Sequence, residues 1–222
     1  MCFSAEASFA SGAVLSAIGI ATVKKASKPE QRLFAVIPLL FACQQFAEGV
    51  LWTTLKTGGY EQLQNAAMYM FLITALVIWP VMVPLSVWLM EKAKERKKIL
   101  VGLVVMGGAV SLIYSYYLIS HTVTVQISGF HLAYYIDRFP NIRPAFIFYL
   151  LPTVAPLFVS SVKRMWLFGI LIAASCVVTG VFYAEYLTSV WCFFAALISV
   201  SIYWVLIESR SKVSLLTRVF QR

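Results

Sequence analysis

The chain has 222 residues, of which 61% are hydrophobic and only 12% charged, and its mean hydropathy is +0.84. An ordinary soluble domain is about 45–50% apolar and about 25% charged, so a water-soluble fold of this length could not hide so much apolar surface. That excludes a cytosolic enzyme, a disordered chain and an ordinary nucleic-acid-binding domain; the net charge of +9 therefore has to be explained by where the charges fall.

Seven apolar stretches approach or exceed the roughly 20 residues that cross a hydrocarbon core: 7–23, 33–55, 66–90, 99–119, 144–162, 165–184 and 188–207. In lipid the backbone must satisfy its own hydrogen bonds, so the stretches read as helices, and they lack the alternation of outer-membrane barrel strands. The expected fold class is an all-α membrane protein, a seven-helix bundle forming one integral membrane domain over 1–222. The connections 1–2, 3–4 and 5–6 and the C-terminal tail carry fifteen of the eighteen basic residues, leaving Lys56, Arg138 and Arg143 for the rest. This positive-inside bias puts the N-terminus outside and the C-terminus in the cytoplasm. The run 91–98 then sets topology and meets anionic lipid headgroups; the lipid bilayer, not nucleic acid, is the expected partner.

The first stretch has no basic residue before it and a basic cluster after it, which favours a retained helix over a cleaved leader. Ser4 would be its N-cap, with Glu6 in the first turn favoured by the helix dipole.

The second span carries the most informative string, Phe41-Ala-Cys43-Gln44-Gln45-Phe-Ala-Glu48-Gly49-Val-Leu-Trp52. Gln45, Glu48 and Trp52 are spaced i, i+3, i+7 and Gln44 is four residues before Glu48, so all lie near one helical face. A carboxyl this deep costs several kcal/mol unless neutralised, paired or wetted, and marks a functional-site candidate. The competing reading is a protonated Glu48 held by a neighbouring helix, with the glutamines joining helices. Either way this face should turn inward.

Spans 3 and 5 share the pattern P-x-x-x-P-L, at Pro80/Pro84 and Pro152/Pro156. The pairs read as packing kinks or, if spans 3–4 and 5–6 are a duplicated hairpin, as helix breaks at a transport site. Span 4 ends in Tyr114, Tyr117 and His121, again at i, i+3, i+7. If that face turns inward, Tyr114 and Tyr117 line the same outward cavity as Glu48; otherwise they join the interfacial aromatic belt.

The 120–143 connection is the longest. Thr122-Val-Thr-Val-Gln-Ile127 and Phe130-His-Leu-Ala-Tyr-Tyr-Ile136 flank Ser128-Gly129, which predicts a β-hairpin lid on the extracytoplasmic side. With Ser128-Gly129 as the turn, Gln126 faces His131 and Thr122 faces Tyr135. Val125/Leu132 and Val123/Tyr134 make the apolar face.

Two catalytic chemistries are conceivable. His121 and His131, with Glu48, Glu6, Asp137 or Glu185, would make a zinc or iron set if the fold gathered them. Loss of Met1 would expose Cys2 as a thiol beside its own amine, although Cys2 would equally insert as a weak hydrophobe or pair with Cys192. Cys43 and Cys176, deep in spans, read as core thiols. Retinal is not expected, because 188–207 contains no Lys.

The strings Met1-Cys-Phe-Ser-Ala-Glu-Ala-Ser-Phe9 and Gln44-Gln45-Phe-Ala-Glu48-Gly49-Val-Leu-Trp52 resemble an uncharacterised bacterial family of small multi-span membrane proteins that begin MCFSAxASF and carry QQxxEGxxW in the second span. The resemblance implies a shared site at Cys2, Ser4, Gln44, Gln45, Glu48 and Trp52, in the outer half of the bundle.

The sequence therefore points to a bacterial inner-membrane protein with an outward-opening polar pocket centred on Glu48. Gln44, Gln45, Trp52, Tyr114 and Tyr117 would complete it around a small molecule or ion, for transport or sensing. A membrane-embedded hydrolase or metal enzyme using Cys2 or the His/carboxylate set is the alternative. A structural subunit of a membrane complex, with oligomerisation, is the third reading.

Overall fold

The computed structural model describes residues 4–139, 142–183 and 186–206. Helix α1 (Ala5–Lys25) starts as expected, with Ser4 Oγ accepting from the Ala7 N–H at 3.2 Å. Helices α2 (Pro29–Ala35) and α3 (Ile37–Thr57) run on from one another across Val36, where Pro38 has no N–H to continue the ladder. Helix α4 (Glu61–Leu72) passes through a π-helical turn, Ile73–Ile78, into α5 (Trp79–Met90). Helix α6 (Lys94–Ser120) leads to strands β1 (Val123–Ser128) and β2 (His131–Ile136). Helices α7 (Ile142–Val159), α8 (Met165–Phe182) and α9 (Leu187–Ser199) follow.

Six helical segments among the described residues are long and apolar enough to cross a membrane: Ala5–Lys25, Pro29–Thr57, Glu61–Met90, Lys94–Ser120, Met165–Phe182 and Thr188–Leu206. They mark a multi-pass membrane protein. The fifth stretch expected from the sequence is the shorter apolar helix Phe146–Val159, the described apolar part of α7. It packs against α5, α6 and α8. Large apolar side chains such as Val105, Leu112, Ile119 and Val181 are exposed, as suits helices whose solvent is lipid. Cys43 shares this exposure. It is therefore not the core thiol expected from its depth in the span, because α3 turns that face away from its neighbours. Cys176 is buried, as expected.

The hairpin forms, with a corrected register. Val125 pairs with Tyr134 and Ser128 with His131, so the turn is Gly129-Phe130 and not Ser128-Gly129. Gly129 has φ +59° and Phe130 a negative φ. This is the pattern of a type II′ turn, which demands glycine at its first central position. The shift moves each partner by two residues, so side chains keep their faces. Val123, Val125 and Leu132 are buried, and Tyr134 stacks on Phe71 of α4 at 4.8 Å. The turn end is held by a Ser128–Tyr186 hydroxyl hydrogen bond of 2.9 Å. His131 stacks on Tyr186 at 4.7 Å, and burial lowers its pKa.

At the opposite end, Glu91 ties two connections together. Its carboxylate accepts from the Lys92 and Ala93 N–H groups at 2.8 and 2.9 Å, and from both the N–H and the hydroxyl of Ser161 at 2.6 Å. Burial raises the cost of its charge, but the hydroxyl of Ser161 and the three N–H donors outweigh that and hold its pKa at about 2. Arg96 donates to the Val159 carbonyl at 3.1 Å, at the last residue of α7, which ends at 159 rather than at 162.

Candidate functional site

Helix α3 delivers its polar face inward. Gln44, Gln45 and Glu48 have no exposed surface, and Trp52 is 2% exposed. Ser189 of α9 donates to Glu48 Oε1 at 2.5 Å, and Gln45 Nε2 approaches Glu48 Oε2 at 3.4 Å. Gln44 reaches three other elements. Its Oε1 accepts from the Trp79 indole at 3.1 Å, and its amide donates to the Phe71 carbonyl at 3.4 Å and to Cys192 Sγ at 3.7 Å. One glutamine thus spans α4, α5 and α9. Trp52 packs below Lys56, whose Nζ lies 5.2 Å from the ring centroid.

Beside this cluster the backbone is opened by proline. Pro80 has no N–H, and the Trp79 N–H reaches back five residues to the Thr74 carbonyl, so neither serves Ala75. In lipid such a carbonyl needs another donor. Tyr149 of α7 supplies it, its hydroxyl donating to Ala75 O at 2.5 Å, while Ser111 of α6 donates to Val77 O at 2.6 Å. Gly107 permits the close approach of α6, since a Cβ there would lie 1.9 Å from the Pro80 carbonyl oxygen.

A cavity of about 250 Å³ lies between this turn and the hairpin, lined by Leu72, Ala75, Leu76, Tyr114, Tyr134, Tyr135, Ile136, Phe139, Phe146, Tyr149, Thr188, Trp191 and Cys192. Seven of those residues are aromatic, and among the described residues of the wall none is charged or a histidine. A second cavity of about 50 Å³ lies against Phe41, Trp79, Val83, Leu157, Phe168 and Ile172, and shares Tyr149, Trp191 and Cys192 with the first. The rings around the junction are braced edge to face: Tyr149 meets Trp191 at 5.8 Å and Tyr114 at 6.1 Å. The Tyr149 hydroxyl is committed to Ala75 and the Trp79 indole to Gln44.

The matching family model is DUF6629, a family of unknown function, and it covers residues 1–216. The chain belongs to DUF6629. No curated protein and no solved structure matches it.

The site residues expected from sequence are distributed unevenly in this DUF6629 chain. Tyr114 lines the cavity. Gln44, Gln45, Glu48 and Trp52 come together as a buried cluster behind the cavity wall and are not among its lining residues; Gln44 touches that wall at Cys192. Tyr117 packs instead on His121 and Phe139, at 5.0 Å in each case. The metal candidates His121, His131 and Glu48 are not gathered: among the described residues no three His, Cys, Asp or Glu side chains could hold an ion together. His121 sits against Tyr116 and Tyr117, and His131 against Tyr183 and Tyr186. Cys2 and Glu185 lie outside the described residues. Cys192, the other half of the conceivable Cys2 pair, is a free, buried thiol.

Sequence reasoning missed Tyr149, Trp191, Phe139 and Phe146 as lining residues. The available signal was Pro80 itself: a proline in a span frees a carbonyl, and a hydroxyl on another helix must answer it.

Proposed function

We propose that this is a bacterial inner-membrane protein of seven spans, N-terminus outside, that binds a small uncharged molecule in the aromatic cavity beneath its outer hairpin, for transport or sensing. The observation that carries this reading is the cavity itself, bordered by β2 on one side and by the π-helical turn on the other. Ligand pockets are concave and mainly apolar, with a few placed polar groups, and π-helical turns are frequent at functional sites. The volume is a little below the roughly 300–1,000 Å³ of drug-sized pockets, which fits a ligand of one or two fused rings. Among the described residues the wall has no ionisable side chain other than tyrosine and cysteine, so it offers an ion no counter-charge there, which favours a neutral ligand. Gln44, Gln45 and Glu48 act behind the wall, holding α9 and hence Trp191 and Cys192 in place.

The test is saturable binding of 1-acetonaphthone to the protein in nanodiscs, with empty nanodiscs subtracting partition into lipid. Binding that disappears in Thr188→Phe, which fills the cavity, at an unchanged melting temperature supports the reading. No saturable binding, or binding that Thr188→Phe leaves intact, overturns it.

A further inference from the structure

Trp191 stands in the shared wall of both cavities. It is 8% exposed, and among the described residues its Nε1–H has no acceptor. Its ring is fixed by Phe146 at 6.0 Å and by Tyr149 at 5.8 Å. Buried donors are nearly always paired in proteins, and an unpaired one costs as much as its lost hydration. Two neighbouring ring donors are already committed, Tyr149 to Ala75 O and Trp79 to Gln44 Oε1. The indole N–H of Trp191 is therefore a buried, unanswered donor on a side chain that lines both cavities.

We propose that Trp191 is the specificity-determining donor of the cavity, and that its ligand is a neutral planar molecule bearing a hydrogen-bond acceptor such as a ketone, quinone or ether oxygen. The proposal rests on the cavity being a ligand site. Ring faces of Tyr114, Phe146 and Tyr149 hold the planar body by stacking and edge contacts, and the acceptor oxygen takes the indole proton donor. A hydrocarbon of the same shape fills the same space but leaves the donor unanswered. Tyr114, Tyr134, Tyr135 and Thr188 also carry hydroxyls in the lining, so the part of the discrimination that Trp191→Phe removes measures this one hydrogen bond.

The experiment compares 1-acetonaphthone with 1-ethylnaphthalene in nanodiscs, against wild type, Trp191→Phe and Thr188→Phe. The ketone is expected to bind wild type about threefold to tenfold more tightly than the hydrocarbon, the range of a net neutral hydrogen bond. Trp191→Phe keeps the aromatic wall and should bring the two affinities together while retaining hydrocarbon binding. Equal affinities in wild type overturn the proposal and leave the cavity reading standing, as does discrimination that survives Trp191→Phe. Binding of neither probe, or binding that Thr188→Phe leaves unchanged, overturns both. A Trp191→Phe protein that melts well below wild type is replaced by ¹⁵N-indole spectra of the wild type. There the Trp191 Nε1–H resonance must shift with the ketone and not with the hydrocarbon, and the absence of that difference also overturns the proposal.

Discussion

Ser189 donates its hydroxyl to Glu48 Oε1 at 2.5 Å, with neither residue exposed, and so fastens the last described span to the second. Gln45 approaches the other carboxyl oxygen from the same helix. Removing the acceptor takes a partner from two buried donors at once, at up to about 1–3 kcal/mol each. Glu48→Ala should therefore lower the melting temperature markedly, at about 2–4 °C per kcal/mol for a chain of this size. Glu48→Gln keeps an acceptor for Ser189 and should lose less. Thermal unfolding of both variants in one detergent measures the difference, and equal losses would remove the hydrogen bonds as the cause.

Tyr149 and Gly107 answer the same defect, the backbone opened before Pro80. Tyr149→Phe preserves the ring but leaves the Ala75 carbonyl without its donor, for an expected loss of about 1–3 kcal/mol. Gly107→Ala places a Cβ where only 1.9 Å separates it from the Pro80 oxygen. Helices α5 and α6 would have to part, and overpacking of this kind costs at least about 1–3 kcal/mol. Gly102→Ala is the control, because a Cβ there meets nothing within 4 Å. Yields of folded protein and melting temperatures should fall for Gly107→Ala and Tyr149→Phe and stay put for Gly102→Ala.

Gly129 sets the hairpin register through its positive φ of 59° rather than through packing, since among the described residues nothing lies within 4 Å of a Cβ built there. Gly129→Ala should strain the turn by about 1–2 kcal/mol without touching the bundle. Phe130 beside it is 74% exposed, so the rate of chymotrypsin cleavage after Phe130 reports the loosening. Faster cleavage at an unchanged global melting temperature is expected.

Glu91 gives a pH dependence of known sign. Its pKa is lowered from an ordinary 4.5 to about 2, so its contribution is full above about pH 4.5 and is lost as pH falls toward 2. The size is about 3 kcal/mol. Wild type should exceed Glu91→Gln in stability at pH 7, and the gap should close progressively between pH 4.5 and the acid limit. A gap independent of pH would show that the carboxylate charge is not what Ser161, Lys92 and Ala93 recognise.

Much of this protein was legible in one dimension because lipid as solvent imposes simple rules. Uninterrupted apolar runs had to become helices, and their bounds came within a few residues of those predicted. The i, i+3, i+7 spacing of Gln45, Glu48 and Trp52 placed all three on the buried face of α3, and the alternation on either side of Gly129 announced the hairpin. The hairpin register was missed by a one-residue displacement of the turn, since Ser128-Gly129 and Gly129-Phe130 differ only in which position must hold a positive φ.

The sequence by itself determined the solvent, the helices and the inward face of the second span, all of which depend on local hydropathy and periodicity. Only the tertiary structure decided that Glu48 is fastened to Ser189 behind the wall rather than in the cavity, and that Tyr149, Trp191 and Phe139 line the cavity itself. These pairs lie far apart along the chain, and which apolar faces meet is set by close packing at Pro80 and Gly107. The basic residues behind the +9 charge cluster between the apolar stretches and in the tail, and the described wall of the cavity carries none of them.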